Sequence, residues 1–386
     1  MNDTICKLTA SDFDEAIAHL SLVFGDPDFA ALVPSLYQPT DSHMGRNFAL
    51  RKGGRIAAMV GVFPIDWIVG STRLRVAGIG GVSVHPDHRG MGFMRLLMDE
   101  AMAEIESGGF HAAYLGGNRR RYNHWGFEKA GAEAQFTVST NSLEHDAHKP
   151  VHSGNGALTV SEATEDELPA LHALMQRQPI RCIRTADSFP RHLRNWRRRP
   201  LVVRDLRGHA LGYTCFDAND ATCVECCVEN SEALSALLSY CIGAAKRPVR
   251  VSVPMIRDLQ FNHLERLADD ASLIEAGNWR IYQWPAVMTA LLKARQSAMP
   301  LPPDTFVIRI DANASGPSGT GAEHFRLTID SHATCEFSDD APDFEGSAAQ
   351  VLRALTDPIP PNLPLRAAQL GLWRPLPLVI PMQDRV

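Results

Sequence analysis

The chain has 386 residues, more than one hydrophobic core usually contains, so we expect two or three domains. Its composition, with 45% hydrophobic and 21% charged residues, is that of an ordinary globular protein and excludes an intrinsically disordered chain. The formal net charge of -6 argues against a nonspecific nucleic-acid-binding protein, which needs a basic surface, and suits a cationic small molecule better.

The sequence shows no signal for export or for a membrane span. Its first residues do not combine a basic segment with an apolar one, as a signal peptide would. No apolar run reaches the roughly 18 residues that a transmembrane helix needs. We therefore expect a soluble, cytoplasmic protein with no membrane partner.

Eight cysteines are scattered along the chain at irregular spacing. Only Cys223, Cys226 and Cys227 form a cluster, in a segment with the pattern of a buried strand. A structural zinc site would need a second pair of ligands at regular spacing, and only Cys241 follows nearby. We predict free thiols and no metal, with a metal site at this cluster as the alternative.

The first third of the chain has the pattern of a mixed α/β layer. A short strand leads into a helix near Ser11, and Ser11 and Asp14 have the spacing of a capping box. A second, amphipathic helix begins near Gly90 and ends at the glycines of residues 108–109. Strands are predicted at residues 47–51, 56–63, 73–76, 81–84 and 110–115.

A similar order of elements recurs in the middle third. A short strand is followed by a capping box formed by Thr164 and Glu167. The short strand is predicted at residues 159–161, further strands at residues 201–204, 210–216 and 222–228, and a helix at residues 231–245. Because element order and spacing match the first third, we infer an internal duplication of the fold rather than a short-period repeat.

The last third follows a different pattern. Strands at residues 306–310 and 325–329 precede a helix at residues 347–355 and a proline-rich apolar tail that ends at Val386. Residues 145–156 and 298–304 have the composition of linkers, and residues 315–321 that of a flexible turn. We therefore predict domains at residues 1–150, 151–298 and 299–386.

The segment from residue 80 to residue 98 carries the strongest chemical signal. An apolar strand ends there, and a turn with one proline and two glycines opens the amphipathic helix. The first amides of a helix have no partner within it and lie at the positive end of its dipole. Gly90 and Gly92 let a phosphate approach these amides closely, and Arg89 adds a charge-assisted contact or braces the turn. The pattern favours a pyrophosphate-binding turn; the alternative is a βα turn whose glycines serve geometry alone.

Other ligands fit this segment less well. A P-loop needs a Gly-Lys-Ser/Thr sequence, which is absent. A dinucleotide-binding fingerprint needs a third glycine where this sequence has Arg95. His85 and His88 have no third metal ligand nearby in the sequence, so we interpret them as turn residues.

The full pattern Val-Ser-Val-x-Pro-x-x-Arg-Gly-x-Gly, residues 82–92, resembles the acetyl-CoA signature of the GNAT superfamily. Arg89 and Gly92 take its first and fourth positions, and Met94 departs from the glycine or alanine usual at the sixth. In this departure, in the duplicated fold and in the chain length, the sequence resembles the enhanced-intracellular-survival (Eis) acetyltransferases. The resemblance implies an α/β (α+β) fold, with two tandem GNAT-like mixed-sheet domains and a C-terminal α+β domain similar to sterol carrier protein.

The resemblance also implies acetyl-CoA as the co-substrate and assigns residues to it. One wall of the pantetheine site falls on the backbones of Val82, Ser83 and Val84, and the facing wall on Gly117 and Asn118. The residues assigned to the phosphates are Arg89, Gly90, Met91, Gly92, Phe93, Met94 and Arg95. The equivalent turn of the second unit, residues 228–233, has no glycine or arginine and carries two carboxylates, so we expect one cofactor site per chain.

Tyr122 stands in the sequence Tyr-x-x-x-Gly-Phe, which matches the position of the general-acid tyrosine of the family. When an amine attacks a thioester, the departing thiolate needs a proton, and a tyrosine can donate one over a short hydrogen bond. The alternative is a tyrosine that only packs its ring and bonds a backbone carbonyl.

The chain end supplies the second proton-transfer group that the resemblance implies. In Eis-type enzymes the C-terminal carboxylate is the general base, which here is that of Val386, with Asp384 as an alternative base. A tail that only closes the third domain is the competing interpretation. Asp26 and Asp28 are candidates to line an acidic acceptor pocket.

We therefore predict an N-acetyltransferase that moves an acetyl group directly from acetyl-CoA to a small amine. Polyamine-like and aminoglycoside-like acceptors, or a lysine, suit an acidic pocket. The resemblance allows a homo-oligomer, and the net charge of -6 predicts no nucleic-acid partner. The alternatives are a non-catalytic acyl-CoA-sensing or lipid-binding protein, and a structural protein that uses the duplicated fold as a scaffold.

Overall fold

Three β-sheets with helices packed on them make up the computed structural model, which describes residues 3–147, 158–311, 323–359 and 370–386. The predicted mixed α/β fold class is confirmed. Most of the first predicted linker, the predicted flexible turn at residues 315–321 and the start of the apolar tail lie outside the described residues. Within these ranges, no helix has both the length and the apolar character needed to cross a membrane.

The strands follow the predicted positions in the first two thirds and add several that the sequence did not predict. In chain order the strands are β1 (Thr4–Lys7), β2 (Asn47–Lys52), β3 (Arg55–Val69), β4 (Thr72–Val84), β5 (Ala112–Leu115), β6 (Glu128–Lys129), β7 (Ala132–Val138), β8 (Thr159–Glu162), β9 (Ile180–Cys182), β10 (Arg199–Arg204), β11 (Ala210–Asp217), β12 (Thr222–Val228), β13 (Val249–Pro254), β14 (Asp270–Glu275), β15 (Asn278–Ile281), β16 (Asp304–Ile310), β17 (Glu323–Ile329), β18 (Ala333–Phe337) and β19 (Phe344–Gly346).

The helices connect these strands. In chain order they are α1 (Phe13–Phe24), α2 (Phe29–Leu32), α3 (Asp41–Met44), α4 (Phe93–Ser107), α5 (Arg119–Tyr122), α6 (Thr140–Ala147), α7 (Leu168–Gln176), α8 (Phe189–Arg194), α9 (Ser231–Ala245), α10 (Leu259–Leu267), α11 (Trp284–Ala298) and α12 (Ala348–Thr356). The α9 helix has the predicted bounds, and α4 begins three residues after the predicted start because Gly90 and Gly92 both adopt left-handed backbone conformations.

The first sheet is built on the long antiparallel hairpin of β3 and β4, and its strand order is β1-β2-β3-β4-β5-β15-β6, with β9 paired to the far end of β3. Its two faces bury different cores. Phe48 and Val60 pack with α4 on one face, whereas Ala49 and Met59 pack with α1 on the other. This alternation along the strands explains why both faces of β2 and β3 are apolar.

The second sheet repeats this design and exchanges strands with the first. Its order is β14-β7-β13-β12-β11-β10-β8, so β7 leaves the first unit and pairs between β13 and β14. In return β15 and β9, from the second unit, join the first sheet. The limits of the sheets therefore do not coincide with the predicted boundary at residue 150, and the division into three domains stays a prediction.

The third sheet, in the order β18-β17-β16-β19, packs against α11 and α12. Trp284 at the start of α11 stacks on Phe325 of β17, with ring centroids 5.7 Å apart. The α11 helix thus packs on the third sheet, although it precedes the predicted boundary at residue 298, and this boundary stays a prediction as well. One continuous core joins this sheet to the part of the first sheet around Trp67 and Trp279, which are both fully buried.

We predict that Trp279→Ala destabilises the whole protein, because Trp279 on β15 packs against Trp67 and Tyr114 at centroid distances of 5.6 and 5.1 Å. The expected loss is about 3–5 kcal/mol in the free energy of unfolding, measured by denaturant titration. Leu206→Ala is the control, because Leu206 is 71% exposed and its removal should change stability by less than about 0.5 kcal/mol. Equal midpoints for both variants would contradict the assignment of β15 to the first sheet.

Candidate active site

The first sheet opens between β4 and β5. The two strands pair in parallel from Val76 opposite Ala112 to Ile79 opposite Leu115, and the pairing stops there. Beyond this point β4 continues to Val84, whereas the chain leaves β5 at Gly116. The backbone of residues 80–84 therefore lines a cleft on the side where a neighbouring strand would otherwise lie, which leaves its amides and carbonyls for a ligand.

A β-bulge shapes β4 at this cleft. Met59 lies opposite Ser83 and Gly61 opposite Gly80, so β4 contains one extra residue, and Gly81 has a φ of +60°. A β-carbon at Gly81 would lie 2.4 Å from the buried hydroxyl of Tyr37, so the bulge needs a glycine. Bulges re-aim the backbone beside functional sites, as this one does at the cleft.

The β4 residues predicted to line the pantetheine site direct their side chains alternately to the two faces of the sheet. Val82 and Val84 pack towards the α4 core, and Ser83 points the other way. The Ser83 hydroxyl lies 3.1 Å from Nε2 of the buried His19 on α1 and bonds the carbonyl of Gly81. Burial lowers the pKa of His19 to about 4, with a further contribution from the His85 ring, so this imidazole is neutral at physiological pH. These side-chain contacts leave the backbone as the part of β4 that faces the cleft.

The turn after β4 is exposed at the residues predicted to bind phosphate. Gly90 and Gly92 have φ values of +80° and +78°, and a β-carbon on either would meet no atom within 4 Å. Arg89, Met91 and Arg95 are exposed. The α4 helix begins at Phe93 and uses Gly92 as its N-cap, so its first amides point out of the protein.

Phe93 and Met94 show how the helix start is held. Both side chains pack into the α4 core, so they contribute to a ligand site only through their backbone. This arrangement explains why a methionine is tolerated at residue 94, since the bulky side chain turns away from the exposed amides.

The facing wall of the cleft contains Gly117, Asn118 and Tyr122. Gly117 is exposed with a φ of +89°, and a β-carbon there would lie 3.5 Å from the Tyr122 ring. The Asn118 side chain accepts a hydrogen bond of 3.0 Å from the amide of Arg120 and caps α5. The Oδ1 atom of Asn118 is thus engaged in the cap, which leaves its backbone and its Nδ2 group for contact with a ligand.

Tyr122 is buried at the end of α5, in the same apolar cluster as Ile79 of β4 and Phe93 of α4. Burial raises the pKa of its phenol, and the nearby Arg121 opposes this shift. The adjoining loop is held by Trp125, whose indole nitrogen donates a 2.8 Å hydrogen bond to Asp99. The tyrosine therefore lies beside the opening as a protonated phenol.

The last residue of the sequence lies against β4 at the same opening. A β-carbon on Gly78 would lie 2.9 Å from a methyl carbon of Val386, and one on Gly80 would lie 3.0 Å from its carbonyl carbon. The sequence analysis missed Gly78 and Gly80, although glycines within a strand are a signal that another backbone approaches closely. These glycines make room for the chain end.

A cavity of about 300 Å³ connects the chain end with the facing wall of the cleft. Its lining includes Gly117, Trp196, Val386 and Asn278 of β15. The buried Asn278 amide group donates to the carbonyls of Leu115 and Gly117, at 3.3 and 3.1 Å, and so ties down the end of β5. This role was not predicted, because β15 lies 163 residues away from Leu115 in the sequence.

Three acidic residues predicted for catalysis or acceptor binding have other partners. Asp384 is buried and forms an ion pair with Arg184, which makes its carboxylate a poor general base. Burial would raise the pKa of Asp384, but Arg184 outweighs it and lowers this pKa. Asp26 is paired with Arg197, and Asp28 caps α2 through the amide of Ala31.

The second unit has a similar opening, but the turn that follows β12 has no glycine and carries the exposed Glu229. The parallel pairing of β12 and β13 is limited to Thr222 and Cys223, and β12 has a bulge where Glu225 has a φ of +53°. The helix that follows, α9, is capped by Asn230, which accepts a 2.8 Å hydrogen bond from an amide of its first turn. Cys223, which belongs to the predicted cysteine cluster, is buried in β12.

Residues 4–130 match the sequence profile of the acetyltransferase (GNAT) domain. This range covers the β4–β5 opening, the exposed turn and Tyr122. The chain therefore carries a GNAT acetyltransferase domain and is an acyltransferase, and such domains transfer an acyl group from acyl-CoA to an amine. No curated protein matches the sequence.

Solved structures share the fold over most of the chain. A GCN5-related N-acetyltransferase from Kribbella flavida has a TM-score of 0.67 and 18% identity, over 100% of this chain and 98% of that chain. Eis1 from Mycobacterium abscessus has a TM-score of 0.59 and 17% identity, over 92% and 90%. A probable N-acyltransferase from Enterococcus faecalis V583 has a TM-score of 0.63 and 15% identity, over 91% and 89%. At these identities the likeness shows the shared fold alone.

We predict that Gly92→Val weakens acyl-CoA binding, because the side chain fills the space in front of the first amides of α4. The expected increase in the dissociation constant is about tenfold or more, which corresponds to the loss of one charge-assisted hydrogen bond. Isothermal titration calorimetry with CoA measures it.

Gly54→Val is the matched control for backbone strain. Gly54 also has a left-handed conformation, with φ of +84° and no atom within 4 Å of a β-carbon, but it lies in the β2–β3 turn. Both variants should lose similar stability, and only Gly92→Val should lose CoA affinity. Equal CoA affinity in the two variants would remove the phosphate site from this turn.

Proposed function

We propose that this protein is an N-acetyltransferase that moves an acetyl group from acetyl-CoA to a small amine by direct transfer. Polyamine-like or aminoglycoside-like amines and lysine side chains are the acceptor classes considered. The observation that carries the proposal is the β4–β5 opening, which has an exposed helix start at one end and Val386 beside it at the other.

The described residues fit acetyl-CoA. The exposed amides of the turn at Gly90 and Gly92 suit the pyrophosphate, and Arg89 and Arg95 are exposed cations nearby. The open edge of β4 at residues 82–84 offers backbone groups for the amides of the pantetheine arm, with Gly117 on the opposite wall. Acetyl-CoA, when bound, supplies an activated acetyl thioester at the inner end of the cleft.

Tyr122 is proposed as the general acid. Direct transfer creates a thiolate that needs a proton, and Tyr122 is the protonated phenol at the β4–β5 opening. Because burial raises its pKa above the usual 10, the phenol keeps its proton throughout the physiological range. The cysteines do not support a covalent route, since burial raises the pKa of Cys226 and of Cys227 and favours inert thiols.

The carboxylate of Val386 is proposed as the general base. An amine enters as an ammonium ion and has to lose a proton before or during attack. Val386 lies against Gly78 and Gly80 and also lines the cavity on the facing side, so its carboxylate is near both the thioester end of the cleft and a space for the acceptor. Asp384 is ruled out for this role by its bonds to Arg184.

We predict that Tyr122→Phe lowers kcat by about a hundredfold or more without weakening acetyl-CoA binding, since only the proton donor is lost. Thiol release with acetyl-CoA and a panel of primary amines measures kcat, and calorimetry measures binding. In the unmodified protein the raised pKa keeps the acid protonated, so loss of this proton should not lower kcat between about pH 7 and pH 9.

Tyr282→Phe is the matched control, because Tyr282 packs against the same core and its buried hydroxyl has no hydrogen-bond partner in the described structure. It should keep nearly full activity. A normal kcat for Tyr122→Phe would exclude Tyr122 as the acid. Tight acetyl-CoA binding with no turnover on any amine would instead favour an acyl-CoA-sensing protein.

We predict that one glycine added after Val386 lowers kcat strongly and leaves acetyl-CoA affinity unchanged. The addition moves the carboxylate by about 3.5 Å, out of its position beside Gly80, while the phosphate turn is unaffected. Stopped assays under acetyl-CoA saturation measure kcat. Unchanged turnover would assign proton removal to another group and leave Val386 with a packing role.

A further inference from the structure

The chain ends with three polar side chains in a row, which are buried at Gln383 and Asp384 and half-buried at Arg385. Each one is bound to a different part of the protein, and Val386 follows directly. Burying a polar group is unfavourable unless it finds a partner, so three consecutive ones are a costly way to fill space. Apolar residues would bury the same segment without this requirement, as Leu378, Val379 and Ile380 do immediately before it.

Asp384 forms a bidentate ion pair with Arg184. Arg184 Nε donates to one carboxylate oxygen at 2.8 Å, and Nη2 donates to the other at 2.6 Å. The other edge of the guanidinium holds Glu225 in the same way, with Nη1 2.6 Å from Oε1. Tyr213 donates to Glu225 Oε1 at 2.8 Å, and His192 Nε2 lies 3.8 Å from Asp384. Arg184 is thus fully engaged between the two carboxylates.

Arg184 lies at the junction of three parts of the protein. It follows β9, which is hydrogen-bonded to β3 of the first sheet. Its partner Glu225 occupies the bulge of β12 in the second sheet, and its partner Asp384 belongs to the chain end. A fork-shaped guanidinium with two carboxylate partners fixes direction as well as distance, which a lysine ammonium does not.

The neighbouring residues restrict the same segment. The side-chain amide of Gln383 donates to the carbonyl of His192 at 2.6 Å, and its backbone carbonyl accepts from the Asn195 side chain at 2.8 Å. Arg385 pairs with Glu133 of β7 and donates to the carbonyl of Ile380 at 3.1 Å. The described structure therefore holds each of the three residues before Val386 by its side chain.

We propose that Arg184 is a positioning residue of the acetyltransferase, which acts through Asp384 to hold the Val386 carboxylate at the bulge of β4. The proposal rests on the proposed function of Val386. Val386 lies two residues after Asp384, a span of about 7 Å, so a shift of Asp384 is carried directly to the chain end. The second unit anchors Arg184 through its ion pair with Glu225.

Arg184→Lys and Asp384→Asn test this proposal. Both keep the size of the side chain but lose the bidentate pair, and we expect kcat to fall between about tenfold and a hundredfold. Acetyl-CoA affinity, measured by calorimetry, should stay within twofold, because the turn at Gly90 and Gly92 lies outside the network. Arg204→Lys is the control, since Arg204 forms a half-buried ion pair with Glu167 in the second unit, away from the chain end.

If Arg184 positions the base, the loss of activity in the variants should depend on the basicity of the amine. If it only stabilises the fold, the loss should be the same for every amine. Each variant is assayed with the amine that the unmodified protein uses best and with a fluorinated analogue whose nitrogen is less basic. A misplaced base should harm the strongly basic amine most, since the weakly basic one already enters neutral. A general loosening of the fold would lower both rates by the same factor.

The outcomes separate this inference from the proposed function. Turnover by the unmodified protein, together with normal kcat in both variants or equal losses for both amines, would overturn the role of Arg184 and leave the acetyltransferase in place. No turnover by the unmodified protein on any amine would overturn the proposed function itself. If Asp384→Asn does not fold, Arg184→Lys decides the question, because it keeps both charges of the pair.

Discussion

The end of the parallel pairing between β4 and β5 is the constraint on which the rest of the molecule depends. A sheet that stayed closed would satisfy the backbone of residues 80–84 internally and leave no place for an extended ligand. The pairing stops at Ile79 and Leu115, and a different structural feature fixes each of the two strands beyond this point. A bulge at Gly81 turns β4, and Asn278 binds the carbonyls at the end of β5. The cleft is therefore a built feature, supported from both sides.

The two units use the same backbone design for different purposes. Both have a bulge next to a parallel pair of strands that separates early. In the first unit the bulge residue is Gly81, which gives an approach to the strand backbone. In the second unit it is Glu225, whose carboxylate receives Arg184. A buried guanidinium thus lies between two carboxylates at the second bulge, where the first unit has a glycine that faces Tyr37.

Local sequence patterns predicted much of the first unit, whereas contacts between residues far apart in the chain could not be predicted from the sequence. The turn at residues 89–92 was recognised because glycines, a proline and the amphipathic helix lie within a few residues of each other. The alternative base Asp384 was wrong because its partner, Arg184, lies 200 residues away, and no nearby residue indicated the ion pair. The glycines at residues 78 and 80 carried a usable signal, since glycines within a strand indicate close approach of a backbone. The strand exchange carried none, because β7 and β15 are short strands of mixed polar and apolar residues, with no pattern that distinguishes the two sheets.

The exchange of strands has a consequence for how the protein reaches its native state. The first sheet remains incomplete until β15 has been synthesised, 163 residues after the strand that it pairs with. During translation the edge of β5 stays open while the whole second unit is made, and β7 waits equally for β13. Pairings of such sequence separation form slowly, and an open strand edge is prone to join other chains. The two halves of this enzyme therefore mature together, and the nascent chain has to be kept from premature association until its middle third has left the ribosome.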